Sequence, residues 1–508
     1  MLARATTFAI DGVEPRRISV EVDIRPGLPS FTVVGLGDTA VRESRERVRA
    51  AIQNSGYEFP QRRITANLAP ASLRKAGPGF DAALALAVLA ASSQFDPGRL
   101  AGVAVYGELS LGGALRWAAG TLAVAEGARR HRIPSLVVPA VQARDAALVD
   151  GIRVLGVSSL REAVDAVTGR AIPPLPAPAA ARTPAYAASP PDLADVRGQA
   201  VPIQAMEIAA AGGHNLLLEG PPGTGKTMLA RRLPTILPPM SRSEAIEVTR
   251  VHGVAGLHTG GLITTRPFRA PHHTISAAGL VGGGSPPRPG EASLAHRGVL
   301  FLDELSEFQR AAIEALRQPL EDGRVTIVRG QRALAFPTRF MLVAATNPCP
   351  CGYAGAGERC SCSELDLKRY ERRLSGPLLD RMDLLVNVSR PSEQALRERP
   401  CTTSAAARDR VASARERQQR RLRGTGATVN AELDAGLLQS RVRIDEAAHA
   451  ALASAYRSGR LSARGRHRVL RVARTVADLE GRERVSREDV LVALSLRQQI
   501  GMGSPEGL

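Results

Sequence analysis

NLLLEGPPGTGKTMLARRL, residues 215–233, is the stretch whose reading decides the fold. Residues 215–219 form a short apolar run of strand character, and residues 228–233 open a helix. Between them Gly220-Pro221-Pro222-Gly223-Thr224-Gly225-Lys226-Thr227 satisfies G-x-x-x-x-G-K-[ST] at every fixed position. Glycines let the backbone curl until its N–H groups point inward at phosphate oxygens, at a helix N-terminus whose dipole favours anions. Lys226 would hold the β- and γ-phosphates of ATP, and the Thr227 hydroxyl would ligate Mg²⁺. A strand, a phosphate loop and a helix in that order predict an α/β nucleotide-binding domain.

The lysine stands out against its background. The 508-residue chain carries 67 basic and 49 acidic side chains, a net charge of +18, yet its lysines are Lys75, Lys226 and Lys368. Everything else basic is arginine, whose planar fork does not replace a compact ammonium between phosphates. The charge excess points to a polyanionic partner, nucleic acid first. A hydrophobic fraction of 44% is that of a globular chain, and this length predicts several domains.

Downstream, GVLFLDE (residues 298–304) is a buried-strand run ending in two carboxylates. Asp303 would hold Mg²⁺, directly or through water, and Glu304 would polarise the attacking water. A further strand, residues 340–346, leads to Asn347, which would orient that water. Another ends near residues 386–388, just after Arg381 in SGPLLDRMD (residues 375–383).

The order of phosphate loop, Asp-Glu, Asn and Leu-Leu-Asp-Arg resembles an AAA+ ATPase. RPFRAPHHT (266–274), PGEASLAH (289–296) and NPCPCG (347–352) narrow the likeness to the magnesium-chelatase-like ComM (YifB) family, over essentially the whole chain. That resemblance implies a bacterial hexameric ATPase acting on DNA, in the manner of helicases that drive branch migration in natural transformation, with recombination or competence proteins as partners. It implies that Arg381 is an arginine finger reaching a neighbour's γ-phosphate. It gives Arg464 the sensor-2 role in a helical lid, with Arg468 as the fallback.

The resemblance also organises the chain. Residues 1–170 are similar to a Lon-protease-like α+β domain. An Ala/Pro-rich linker follows at 171–191, then the AAA+ P-loop core at 192–390 and a C-terminal α-helical lid at 391–508. A Lon-type site needs a serine nucleophile and a lysine base. Gly79 stands where the serine would lie, and the later helix, residues 121–130, has no lysine, so a non-catalytic scaffold is expected. Lys75 lies at the wrong motif position and reads as a DNA or subunit contact.

Residues 323–336 alternate as a hairpin with a turn at Arg329-Gly330-Gln331. In related motors such a hairpin projects into the central pore, where Arg329 and Arg332 would bind DNA phosphates without reading sequence. The glycine-rich segment 253–284, with His272 and His273, is a candidate second pore element, although loop histidines are more often structural. An aromatic fraction of 3% argues against base stacking as the main mode.

Cys349-Pro-Cys351 and Cys360-Ser-Cys362 suit a four-thiolate Zn²⁺ site, though the pairs are tighter than the usual spacing. Structural zinc, reduced thiols in a surface loop and a redox pair all stay open on spacing. Five cysteines make no disulfide scaffold, so a reducing cytoplasm is expected. No apolar run reaches the length of a membrane span; the best, residues 82–91, reads as a core helix. Two competing functions stand beside a DNA motor: a chelatase-type ATPase subunit inserting Mg²⁺ into a porphyrin, and a DNA-binding scaffold that uses ATP only as a switch.

Overall fold

The computed structural model describes residues 1–35, 39–71, 73, 77–171, 191–257, 260–284, 287–329, 332–354, 360–373, 376–459 and 461–497. The linker reading and Lys75 fall outside them, apart from the linker's end residues.

In the N-terminal region β1 (Leu2–Asp11) and β2 (Glu14–Arg25) form a ten-pair antiparallel ribbon. The turn is Gly12-Val13, and Gly12 sits at φ +67°, a left-handed conformation that glycine adopts without a Cβ penalty. Then follow β3 (Ser30–Val34), α1 (Thr39–Asn54), β4 (Arg63–Ala69), α2 (Asp81–Ala91) and β5 (Val103–Val105). After them come α3 (Thr121–Arg130), β6 (Ser135–Pro139) and β7 (Arg153–Val157). The seven strands make one mixed sheet in the order β3-β4-β2-β1-β5-β6-β7. All eleven residues of α2 are buried, so the most apolar run in the chain is a core helix. Among the described residues no helix is long and apolar enough to cross a membrane.

The central region runs α4 (Ala200–Gly212), β8 (Leu216–Glu219), α5 (Lys226–Ile236), α6 (Arg242–Val254), β9 (Phe268–Arg269) and β10 (Val299–Leu302). The hairpin β11 (Arg324–Arg329) and β12 (Arg332–Pro337) comes next, then β13 (Met341–Thr346), α7 (Glu364–Arg373) and β14 (Leu384–Asn387). Five strands pair in parallel in the order β9-β10-β13-β8-β14. β8, β10 and β13 are buried at every residue, as befits strands covered on both faces. Leu216 and Leu218 join one apolar cluster, and Leu217 joins another on the opposite face. The α/β core with a parallel sheet is therefore as expected. The helix after the phosphate loop starts two residues earlier than its apolar pattern, at Lys226.

The C-terminal region is helical: α8 (Ser404–Arg421), α9 (Glu446–Arg457), α10 (Ala463–Leu479) and α11 (Arg487–Ser495). Its apolar residues share one continuous core with α4, α5 and a face of the sheet. Buried Asp478 of α10 ties the bundle together, accepting from both terminal nitrogens of Arg421 at 2.7 Å and from Arg474 at 2.9 Å. A two-residue parallel strand pair, Arg443–Ile444 with Arg484–Val485, stands among the helices.

The N-terminal region rests on the central one. Arg250 of α6 pairs with Glu126 of α3 at 2.9 Å, and Val13 packs with Val251, Leu294, Val325 and Phe336 at the base of the hairpin.

Candidate functional site

Sheet order brings the phosphate loop, Asp303 and Asn347 together. β10 and β8 both flank β13, so the residues after their C-terminal ends converge on one edge. Gly220 donates to the Thr346 carbonyl at 3.2 Å, and a Cβ there would meet the Val388 oxygen at 2.2 Å, so only glycine fits. Gly223 and Gly225 sit at φ +76° and +94°, which frees the loop to curl before α5 begins.

Lys226 is 9% exposed and its ammonium donates to the carbonyls of Gly220 at 2.5 Å and Pro221 at 2.9 Å, and to Asn347 Oδ1 at 3.1 Å. Burial lowers its pKa below the ordinary lysine value, opposed by the charges of Asp303, Glu219 and Glu304. Its three acceptors are neutral oxygens, and a desolvated ammonium is favoured by an anionic neighbour. The Thr227 hydroxyl donates to Asp303 Oδ2 at 2.7 Å, so the two expected Mg²⁺ ligands already adjoin. Asp303 Oδ1 in turn accepts from the Glu304 N–H at 3.1 Å.

Glu304 follows β10 at φ +51°, a left-handed conformation that costs a non-glycine residue on the order of 1 kcal/mol. Its carboxylate is 59% exposed and lies 3.5 Å from His273 Nδ1. The ring of His273 lies against that of His272, tilted by 35° with 4.1 Å between centroids. This relation was not legible in the sequence. The segment 253–284 contributes β9 to the sheet and delivers His273 to the carboxylate. Glu219, last residue of β8, is a second unforeseen group: burial pushes its carboxyl up to about 7, against the pull of Lys226.

Arg381 lies at the other end of the sheet. It precedes β14, its carbonyl accepts from the Asn215 side chain at 3.1 Å, and its guanidinium pairs with Glu321. Asn215 precedes β8, and its Oδ1 accepts from Leu342 N at 2.9 Å, tying together the starts of three strands. The four-residue ladder between β8 and β14 separates Arg381 from the phosphate loop by roughly 13 Å along the strands. Arg468 is on the same edge, its Nε 3.9 Å from Asp383 Oδ1, and Arg464 is exposed one turn earlier on α10. So the structure gathers Lys226, Thr227, Asp303, Glu304 and Asn347, and keeps Arg381, Arg464 and Arg468 apart from them.

The hairpin pairs Arg329 with Arg332 as its last rung, so its connection is residues 330–331, outside the described residues. Cys349, Cys351, Cys360 and Cys362 do converge: their sulfurs all lie within 4.8 Å of one another. Cys401 is exposed and apart.

Comparison with known proteins covers nearly the whole chain. The family described as "Magnesium chelatase, subunit ChlI" matches residues 192–396, "Subunit ChlI of Mg-chelatase" matches 20–142, and "Magnesium chelatase, subunit ChlI C-terminal" matches 401–497. The chain is 41% identical to the protein YifB of Escherichia coli over 97% of this chain and 96% of that one. It is 40% identical to the competence protein ComM of Haemophilus influenzae, over 98% of both. Over 39% of this chain it is 32% identical to 49% of the Holliday junction branch migration complex subunit RuvB of Paenarthrobacter aurescens.

Proposed function

The chain belongs to the YifB and ComM family, magnesium-chelatase-like proteins with an AAA+-type ATPase core, and from that membership we propose that it is a DNA motor. It hydrolyses ATP as a cytoplasmic hexamer and drives branch migration of recombination intermediates, working with recombination or competence proteins. The name of ComM and the partial likeness to a branch-migration subunit support DNA as the substrate.

One observation carries the hydrolytic, ring-forming reading: Lys226 and Arg381 occupy opposite edges of one parallel sheet. An arginine that cannot reach its own phosphate loop suits the loop of a neighbouring subunit. Arg464, with Arg468 as the fallback, would follow the same route.

Within the loop of each subunit, Gly220 to Thr227 would wrap the ATP phosphates, with Lys226 exchanging backbone carbonyls for β- and γ-oxygens. Thr227 and Asp303 would hold Mg²⁺, and the hydroxyl–carboxylate contact fits a hard cation with oxygen ligands. When bound, that ion neutralises charge developing between the phosphates. Glu304 accepts a proton from the attacking water, Asn347 orients that water, and Arg381 from the neighbour offsets charge on the γ-phosphate. Arg329 and Arg332 carry the stroke to the DNA backbone. A Zn²⁺ on Cys349, Cys351, Cys360 and Cys362 completes the cofactor set.

The N-terminal domain is read as a non-catalytic scaffold of Lon-protease-like fold. A side chain at Gly79 would stand 2.5 Å from the Tyr106 ring, which supports the absence of a serine there. The full-length likeness to ComM speaks against a porphyrin chelatase, and the Glu304, Asn347 and Arg381 set speaks against a switch without turnover. The test is displacement of a labelled strand from a forked duplex: ATP-dependent release supports the motor, and binding without release contradicts it.

A further inference from the structure

Cys349, Cys351, Cys360 and Cys362 sit where a metal would act on the nucleotide site. The sulfurs of Cys349 and Cys351 lie 3.3 Å apart, those of Cys349 and Cys360 3.9 Å, and those of Cys351 and Cys360 3.7 Å. A tetrahedron with Zn–S of about 2.3 Å has edges of about 3.8 Å, close to two of these three separations, and Cys362 completes the group within 4.8 Å. The contacts are far too long for disulfides. Cys349 is fully buried, and its sulfur accepts the Ala354 N–H at 3.2 Å. Gly352, at φ +88°, makes the turn beneath it by donating to the Cys349 carbonyl at 3.0 Å.

Both ends of this loop support Asn347. Cys349 is two residues beyond it, and Asn347 Oδ1 holds the Lys226 ammonium. Cys362 precedes α7, whose Tyr370 hydroxyl donates to the Asn347 carbonyl at 3.0 Å and contacts the Thr346 hydroxyl at 3.2 Å. The loop also touches the phosphate loop directly: a Cβ on Gly352 would stand 2.7 Å from Pro222 Cδ. One ion across the four sulfurs therefore joins the strand that carries Asn347 to the helix that buttresses it.

We propose that the four cysteines hold one Zn²⁺ that clamps Asn347 in register with Lys226, so that metal occupancy sets the rate of ATP turnover. The coupling rests on the ATPase reading above, whereas the metal site stands on the sulfur geometry. Asn347 is the residue positioned; the cysteines touch no substrate.

The test uses the full chain. Elemental analysis is expected to give about one zinc per chain, and Co²⁺ substitution the visible absorption of a tetrahedral thiolate site. The double substitution Cys360→Ser/Cys362→Ser is expected to lose the zinc and lower kcat for basal ATP hydrolysis by tenfold or more. The affinity for a fluorescent ADP should change less than threefold, because the phosphate loop is intact. Should that variant fail to fold by circular dichroism, chelation and Zn²⁺ re-addition to the wild-type chain replaces it, with turnover expected to fall and return. Less than 0.1 zinc per chain overturns the site. Full zinc with unchanged kcat after its removal overturns the clamp. Loss of DNA stimulation alone leaves both intact and bears only on the motor reading.

Discussion

Lys226 and Arg381 stand at opposite ends of one parallel ladder, Lys226 after β8 ends and Arg381 before β14 begins, with Leu216↔Leu384 to Glu219↔Asn387 between them. On the proposed hexameric arrangement, that separation assigns Arg381 to the site of a neighbouring subunit. Lys226→Ala and Arg381→Ala are each expected to abolish ATP turnover alone. Mixed in equal amounts, they should regain on the order of a quarter of the wild-type rate, since random assembly pairs an intact loop with an intact arginine at that frequency. No recovery in re-formed mixed hexamers contradicts action between subunits.

Glu304→Gln keeps the shape of the site and removes the proposed base. Hydrolysis should fall by about 10²–10⁴-fold while nucleotide affinity stays near wild type. His273→Ala, which removes the contact at 3.5 Å, should lower kcat by a smaller factor and leave KM for ATP nearly unchanged. Steady-state kinetics on both variants checks this.

Glu219 gives a pH dependence with a definite sign. Its carboxyl titrates near 4.5 in the unfolded chain and near 7 when folded, because burial disfavours the charge. Below pH 4.5 both states hold the proton and there is no cost. Between about 4.5 and 7 the unfolded chain releases a proton that the folded chain keeps, so stability falls as pH rises. Glu219→Gln should match wild type at pH 4.5 and be more stable at pH 8 by on the order of 1–3 kcal/mol. Denaturant titration of the nucleotide-free protein at the two pH values measures it; identical differences at both contradict the burial argument.

Gly79→Ser tests the N-terminal scaffold. With the Tyr106 ring 2.5 Å from the new Cβ, the substitution should cost about 1–3 kcal/mol and yield no casein hydrolysis. Peptidase activity in a truncated chain lacking residues 192–508 contradicts the reading.

The core strands and the residues at their ends were legible because a buried parallel strand is a short apolar run and the phosphate loop fixes its neighbours. What the residues could not disclose was strand order, and with it the opposite placement of Arg381 and Lys226. The contact between His273 and Glu304 joins positions 31 apart through a segment whose path depends on tertiary packing. β1 is hard to recognise from its residues although Asp11-Gly12 is a strong hairpin signal, because its threonines and arginine blur the alternation. The four cysteines were visible as pairs, but their closure around Asn347 depends on where α7 lands.

Arg329→Ala/Arg332→Ala removes the two guanidinium groups of the hairpin's last rung and leaves its backbone pairing, so DNA stimulation should be lost while basal turnover persists. The slope of log affinity against log salt should shrink by about two per site. An unchanged slope and unchanged stimulation contradict the assignment.

The most direct measurement of the motor reading is ATP turnover by the wild-type chain with and without four-way DNA, run beside strand displacement and with Glu304→Gln as the control. The expected result is DNA-stimulated hydrolysis coupled to displacement, both absent in the control. Turnover indifferent to DNA, with no strand displaced, contradicts it.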